Sequence, residues 1–398
     1  MAFIAKTVHS MGNSWTLMRG DPVFLYSILS IVALYVVNIN YMPIVNVVGY
    51  HLEHYFLGSL YSFTIVSLII GSLLNEKLKK RSHLVWNLVG ILFGITLLLP
   101  ISGHVGLLLY STLGGLATGF CVPCTVASVM NRTSFENRGS ISGLFIMIAY
   151  MLIVIAVLLI GSATYMGIFL ILIKLSSILL ASKLELNKDI PVESPYVRYG
   201  ANAKVAFCFV WFLFTLVDMT VSIISAKLVL GIDLFILRTT TWLVGLISML
   251  VGGVLMDEIG RKKLIVFSYA YLGLEYALIS LSGGYVFKYT FLDGIAWGIL
   301  TVFFTMVLGG DIVFPRTRPL FVSIIFTIPI IGQYIGKVLR DIRIELQIQQ
   351  VFPLASLFLF LAVVMLLILP ETLPDKLIQK KELQDYLQRA KKIKEKYQ

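Results

Sequence analysis

Long apolar blocks alternate with short polar connectors along the chain. Each block holds about twenty mostly apolar residues, the length that an α-helix needs to cross a bilayer. The blocks lie at residues 22–48, 55–75, 83–102, 104–129, 140–161, 163–182, 205–227, 235–256, 264–283, 286–310, 319–339 and 350–370. This pattern predicts an all-α membrane protein with twelve transmembrane helices.

A polar stretch separates the sixth block from the seventh and divides the pattern into two sets of six. We expect a six-helix half at residues 1–182, a cytoplasmic linker at 183–204 and a second six-helix half at 205–370. Residues 371–398 place apolar side chains on one helical stripe and Lys side chains mostly elsewhere. Such a segment is typical of a basic amphipathic helix that lies against anionic headgroups.

Basic residues are concentrated in alternate connectors. With the N-terminus inside, every inner connector carries Lys or Arg, whereas the outer connectors of the first half carry none. Those of the second half carry Lys227, Lys288, Arg340 and Arg343. Because Lys and Arg favour cytoplasmic loops, we expect a multi-pass protein of the plasma membrane with both termini in the cytoplasm.

The composition excludes a soluble enzyme. Apolar residues make up 58% of the chain and charged residues 13%, and the mean hydropathy is +0.90, whereas soluble domains are about 45–50% apolar and about 25% charged. The net charge of +11 comes from the connectors and the tail, so the expected partner is the lipid bilayer and not nucleic acid. No ATP-binding loop, nucleophile elbow or zinc-protease motif occurs, and we predict no enzyme activity, metal site or cofactor.

One motif occurs in each predicted half, in the inner connector after the second span of that half. The first copy begins at Gly71 and ends at Arg81, and the second begins at Gly253 and ends at Lys263. The positions that the motif defines include Gly71, Leu73, Asn75, Leu78 and Arg81 in the first copy, and Gly253, Leu255, Asp257, Gly260 and Arg261 in the second.

This repeat resembles the signature of the major facilitator superfamily, G-x-L-x-D-x-x-G-R-[KR]-[KR], in the same two loops. The second copy matches at every defined position, while the first has Asn75 and Leu78 in place of the acid and the second glycine. The resemblance implies the fold of that family, with two pseudo-symmetric halves that alternate in access.

Further residues are similar to the sugar and metabolite porters of the superfamily. Asp311 and Arg318 have the spacing of an acid–arginine pair in those porters, and Arg138 lies in the matching loop of the first half. The last span ends in Pro370-Glu371-Thr372, as it does in that branch. The resemblance implies that these loops form a cytoplasmic gate, comprising Gly71, Asn75, Arg81, Gly253, Asp257, Gly260, Arg261, Arg138, Asp311 and Arg318.

The residue types suit such a gate physically. A carboxylate at a helix end can accept hydrogen bonds from the N-terminus of a neighbouring helix, and glycines let two helices approach closely. Asn75 and Asn131 are neutral where the second half has Asp257 and Asp311. We therefore expect the second half to supply most of the electrostatic contact.

Polar groups at membrane depth are candidate substrate or coupling groups, because their burial in lipid is costly. The resemblance implies that the first, fourth, seventh and tenth spans line a central cavity. The candidates are Asn38, Asn40, Trp211, Asp218, Arg238, Asp293, Trp297 and Gln333.

Asp218 is the first candidate for a proton- or cation-coupling carboxylate. It shares a helical face with Trp211, seven residues away. The alternative is a structural hydrogen bond or a pair with Arg238, which could itself bind an anionic substrate or neutralise Asp233.

The implied function is secondary active transport of a small polar organic solute, either a sugar or a carboxylate-like metabolite, with protons as the candidate coupling ion. Efflux of drugs or other amphiphiles is the alternative within the superfamily, and a non-transporting membrane sensor is the alternative outside it. We expect a monomer whose partners are a small-molecule substrate, protons and the lipid bilayer.

Overall fold

A computed structural model describes residues 12, 14–74, 80–184, 199–228, 234–282, 291–341 and 348–374, with the isolated positions 377, 379, 383, 386, 387 and 390. This part of the chain is helical and contains no strand. After residue 21, its α-helices are α1 (Pro22–Ile39), α2 (Met42–Val48), α3 (Glu53–Leu74), α4 (Lys80–Thr96), α5 (Gly103–Gly119), α6 (Val122–Asn131), α7 (Arg138–Leu159), α8 (Ala163–Ala181), α9 (Ala201–Leu228), α10 (Leu234–Ile259), α11 (Arg261–Leu281), α12 (Asp293–Val302), α13 (Leu308–Ile312), α14 (Arg318–Asp341) and α15 (Ile348–Ile368).

Eleven helical segments in the described residues are long and apolar enough to cross a membrane. The third predicted span is represented by a shorter apolar helix, His83–Thr96. Large apolar side chains such as Leu108, Leu172 and Leu357 are about 60% exposed, which suits a surface in contact with lipid. The all-α membrane class is confirmed, and the count of twelve spans stays a prediction.

The fourth predicted span is one segment with a bend. Helix α5 ends at Gly119 and α6 begins at Val122, with Pro123 in its first turn. Proline cannot donate the backbone hydrogen bond that a continuous helix needs there. Gly71 of α3 lies against this bend, since a Cβ on Gly71 would stand 2.1 Å from the Phe120 carbonyl oxygen.

Several pairs of helices join the chain before residue 185, the N-terminal segment, to the chain after residue 198, the C-terminal segment, and two of these pairs have the most extensive contact. Helix α7 packs along α10, and α3 packs along α14. The predicted boundaries of the halves stay a prediction, because residues 185–198 of the expected linker lie outside the described residues. The expected amphipathic helix of the tail also lies largely outside them.

Candidate functional site

Asp257 caps a helix of the other segment. It lies near the end of α10, and its Oδ1 accepts a hydrogen bond from the Gly139 backbone N–H at 2.8 Å. Its Oδ2 accepts bonds from the Ser140 N–H at 2.7 Å and from the Ser140 hydroxyl at 2.8 Å. Gly139 and Ser140 form the first turn of α7, where unpaired N–H groups and the helix dipole favour an anion.

Glycines make this contact possible. A Cβ on Gly139 would stand 2.3 Å from the Gly253 carbonyl oxygen, and a Cβ on Gly253 would stand 2.4 Å from the Gly139 oxygen and 2.9 Å from the Gly143 Cα. The backbones of α7 and α10 are therefore in direct contact, as small residues at helix interfaces allow.

Asp311 bridges two arginines, one from each segment. One carboxylate oxygen accepts from Arg138 and the other from Arg261. Arg138 also donates to the Thr133 hydroxyl and carbonyl, both at 2.9 Å. Arg261 donates to the Phe135 carbonyl at 2.9 Å, so its guanidinium also reaches the N-terminal segment.

These four charged side chains form one buried ionic network. Arg261 lies 3.6 Å from Asp257, and Asp257, Asp311, Arg138 and Arg261 are all buried. We call them the latch network, and the end of the bundle that contains it the latch end. Two carboxylates balance two guanidinium groups, which such a buried position requires, because an unpaired buried charge is costly.

Arg318 makes a separate contact across the segments. It donates to the Asn131 side-chain oxygen and to the carbonyls of Val313 at 3.0 Å and Gly310 at 2.8 Å. Asn131 therefore serves as a neutral acceptor where the related motif has an acid.

Glu371 closes the turn that carries Arg261. Gly260 adopts a φ of 99° between α10 and α11, a conformation that favours glycine. The Glu371 carboxylate then accepts from the backbone N–H groups of Arg261 at 3.2 Å and Lys262 at 3.0 Å. This cap orients the start of α11 and with it the Arg261 side chain.

At the opposite end of the bundle, α3 and α14 are joined by an ion pair. Lys337 donates to Glu53, and the Tyr41 hydroxyl donates to the same carboxylate oxygen at 3.3 Å. Tyr61 and Tyr334 meet edge to face, with ring centroids 6.3 Å apart. The two segments are thus in contact at both ends.

Between these ends, aromatic rings from both segments form a central aromatic cluster, which consists of Tyr35, Tyr150, Trp297 and Phe326. The Tyr35 and Tyr150 ring centroids are 5.5 Å apart. Tyr150 meets Trp297 edge to face at 5.0 Å, and Tyr35 lies 6.2 Å from Phe326. Tyr35 and Trp297 retain partial solvent access.

Asp218 lies beside this cluster. Its carboxyl interacts electrostatically with the Tyr150 hydroxyl, and the residue is half-buried. Within the part of the chain that the structure describes, Asp218 makes no hydrogen bond or ion pair. The side chain of Arg238 lies outside the described residues, so the predicted pair with Asp218 stays a prediction.

The two candidate asparagines bind backbone carbonyls of the same segment. Asn38 donates to Leu34 at 2.8 Å, and Asn40 donates to Ile160 at 3.0 Å. These bonds already satisfy a donor of each amide.

Trp211 lies in a stack of rings. Its centroid is 5.4 Å from that of Phe214 and 4.8 Å from that of Phe304, and its indole N–H donates to the Ile325 carbonyl at 3.2 Å. With its N–H engaged, the buried ring has the environment of a packing residue.

Asp293 faces a second carboxyl. Tyr276 donates to its Oδ2 at 3.2 Å, and the Glu275 carboxyl interacts with it. Asp293 Oδ1 and both Glu275 oxygens are buried without a donor among the described residues. Two buried carboxyls in contact are satisfied by binding a proton or a cation.

The geometry can be compared with known proteins. No family model matches the chain, and no curated protein sequence is significantly similar to it. Among solved structures, the human organic anion transporter MFSD10 (TETRAN) superposes with a TM-score of 0.57 at 13% sequence identity. The match covers 89% of this chain and 99% of that one.

The chain has the fold of a major facilitator transporter. At this identity the comparison establishes the fold, and the expected relation to the sugar and metabolite branch stays a prediction.

In this major facilitator fold, the predicted gate residues fall into three sets. Gly253, Asp257, Arg261, Arg138 and Asp311 meet at the contact between segments, and Arg318 lies beside them. Gly71 and Gly260 shape the bend and the turn that support the contact. Asn75 and the side chain of Arg81 lie outside the described residues.

The predicted substrate residues are more scattered. Asp218 and Trp297 adjoin the central aromatic cluster, whereas Trp211 packs elsewhere. Gln333 of α14 is part-buried and makes no hydrogen bond among the described residues. The substrate and coupling roles of all eight candidates stay predictions.

Several contacts of the site were missed by reasoning from the sequence. Glu53 and Tyr41 pair with Lys337 across a large separation in the chain, which no local pattern reveals. Glu371 had a signal, because it is the acid of the Pro370-Glu371-Thr372 motif, but its role as a helix cap depends on the turn at Gly260.

Proposed function

We propose that this protein is a secondary transporter that moves a small organic solute between its two segments by alternating access. The observation that carries the proposal is the latch network, in which Asp257 and Asp311 of one segment bind α7 and Arg138 of the other. These bonds close the latch end, which the distribution of basic residues predicts to be cytoplasmic. The solute can leave at that end only when they break.

The ion pair between Glu53 and Lys337 supports the same proposal. It joins the segments at the opposite end, so each end has its own polar contact that can open while the other stays closed. Both sets of bonds are short-range and charged, and a modest relative rotation of the segments would break one set without disturbing the other.

The solute expected from the resemblance is a sugar or a carboxylate-like metabolite. A specific observation favours the alternative within the superfamily, in which the solute is an amphiphile. The centre of the bundle carries four aromatic side chains from both segments, and such rings offer apolar area to a hydrophobic body.

We propose that protons couple to this movement through the carboxyls that lack a charged partner among the described residues. Asp218 is one, and the facing pair of Glu275 and Asp293 is the other. Proton binding would remove the cost of a bare carboxylate in the membrane interior.

The test is counterflow in liposomes that contain the purified protein and a pH dye, with sugars, organic acids and organic cations as external solutes. Wild-type protein should exchange at least one solute, and Asp311→Asn should slow the exchange by weakening the latch. Glu136→Gln, a substitution at an exposed position, is the control. If no solute exchanges, the protein is better described as a sensor with this fold. Exchange without acidification would contradict the proposed proton coupling but would leave the proposed transport standing.

A further inference from the structure

The central aromatic cluster and Asp218 together have the chemistry of a cation site. Tyr35 and Tyr150 lie roughly 20 Å along α1 and α7 from the latch end, at a rise of about 1.5 Å per residue. That depth falls within a hydrocarbon core of about 30 Å. The cluster is therefore at the depth where a solute would be held between the two polar contacts.

We propose that the solute is an organic cation with an apolar body, held by the Asp218 carboxylate and by the rings of Tyr35, Tyr150, Trp297 and Phe326. This inference rests on the proposed transport function and names the substrate class of the same central site.

The faces of aromatic rings carry partial negative charge, and they attract a cation within about 6 Å of the centroid. Tryptophan and tyrosine are the stronger partners, and three of the four rings belong to these types. Tyr150 and Trp297 meet edge to face at 5.0 Å, so the planes of the two rings are nearly perpendicular and their free faces point in different directions.

The charge of Asp218 agrees with this assignment. A carboxylate at this depth costs several kcal/mol unless a positive group accompanies it, and no described side chain forms an ion pair with it. A bound ammonium or phosphonium would supply that charge. Its carboxyl interacts electrostatically with the Tyr150 hydroxyl, so the carboxylate and the rings belong to the same region of the bundle.

Among the described residues, the cluster offers fewer binding groups to an anion or a sugar than to an organic cation. The basic side chain of Lys174 donates to the Ala117 carbonyl at 3.1 Å, and Lys337 is paired with Glu53, so neither is available to an anion in the cluster. A sugar needs several hydrogen-bonding groups, whereas the cluster has two hydroxyls, on Tyr35 and Tyr150, which interact with each other.

The experiment measures equilibrium binding of radiolabelled tetraphenylphosphonium to the purified full-length protein in detergent. Asp218→Asn should weaken binding by about tenfold or more, equivalent to roughly 1.4 kcal/mol. Asp218→Glu should restore most of the affinity. Trp297→Leu should weaken binding more than Trp297→Phe, which keeps a ring. Glu136→Gln removes one negative charge far from the site and should bind as the wild type does.

Each variant is first checked for a monodisperse gel-filtration profile, and Trp297→Leu provides an independent test if Asp218→Asn is poorly folded. Absence of binding, or equal binding by wild type, Asp218→Asn and Trp297→Leu, would overturn the cation assignment. Liposomes that then still exchange a sugar or an organic acid would leave the proposed transport function standing. Binding that depends on Asp218, without exchange of any solute, would support the cation site and contradict transport.

Discussion

Asp257 is bound by two backbone N–H groups and one hydroxyl, all from the first turn of a helix in the other segment. Hydrogen bonds to a charged group contribute about 1.5–3 kcal/mol each. Because the bonds cross between segments, their energy stabilises the contact between the segments rather than the fold of either segment alone, and in the proposed mechanism it favours the closed latch.

Replacing Asp257 by Asn should open the latch end. The amide keeps one acceptor oxygen, but its NH₂ group then faces an N–H donor, and Arg261 loses part of its charge partner. Loss of about 1.5–3 kcal/mol corresponds to about a 10- to 150-fold shift in the opening equilibrium. Hydrogen–deuterium exchange should show faster exchange of the Gly139 and Ser140 amides.

Glu258→Gln, at the neighbouring position of the same helix, is the matched control for that experiment. It removes a carboxylate from α10 without changing the bonds of Asp257. Unchanged exchange at Gly139 and Ser140 in Asp257→Asn would show that the first turn of α7 is held closed by something other than this carboxylate.

At the scale of elements, α7 and α10 touch through their backbones, and the contact has no room for a side chain. Gly139, Gly143 and Gly253 form this surface. The helices therefore bring the Asp257 carboxylate within reach of the α7 N-terminus only because glycine occupies these positions.

Gly253→Ala should separate the two helices and lower stability. The added methyl would lie 2.4 Å from the Gly139 oxygen, and overpacking of this kind costs about 1–3 kcal/mol. Thermal unfolding in detergent should show a lower Tm than for Gly161→Ala, whose Cβ meets nothing within 4 Å. Equal Tm values would mean that the interface adapts without cost.

Much of this element-level arrangement could be predicted from the sequence. Apolar blocks located the helices because the bilayer requires about twenty apolar residues per span, and the hydrogen bonds of Asp257 to the N-terminus of a neighbouring helix were expected from its place at a helix end. Pro123 gave a local signal for the bend after Gly119, whereas the pairing of α3 with α14 could not be predicted, since it depends on which helices become neighbours. The two carboxylates of the latch were expected, whereas the sharing of Asp311 by two arginines was not.

At the scale of the whole molecule, the two ends of the bundle are held by contacts of different strength. The side chains of Arg138, Arg261 and Asp311 in the latch network are at most 1% exposed, while Glu53, which pairs with Lys337 at the other end, is 18% exposed. We therefore expect the latch end to be the more stably closed of the two.

Lys337→Met should open the opposite end and leave the latch closed, because it removes the ion pair from that end alone. Spin labels at the exposed positions Tyr55 and Leu354 should report a longer or broader distance distribution by pulsed electron resonance. The exchanged pair, Glu53→Lys with Lys337→Glu, should recover the wild-type distribution. A distribution unaltered by Lys337→Met would exclude the ion pair as a gate.

The way in which Asp257 is bound has a consequence for the evolution of this chain. Every amino acid except proline carries the backbone N–H that Asp257 uses, so position 140 can exchange its side chain and still keep one of the bonds. Drift at that position would be tolerated more easily than drift at Arg138, whose guanidinium no other side chain replaces in full. Of the two acids that join the segments, Asp257 would thus keep its two backbone bonds when the side chain at position 140 changes, whereas Asp311 and Arg138 would have to change together.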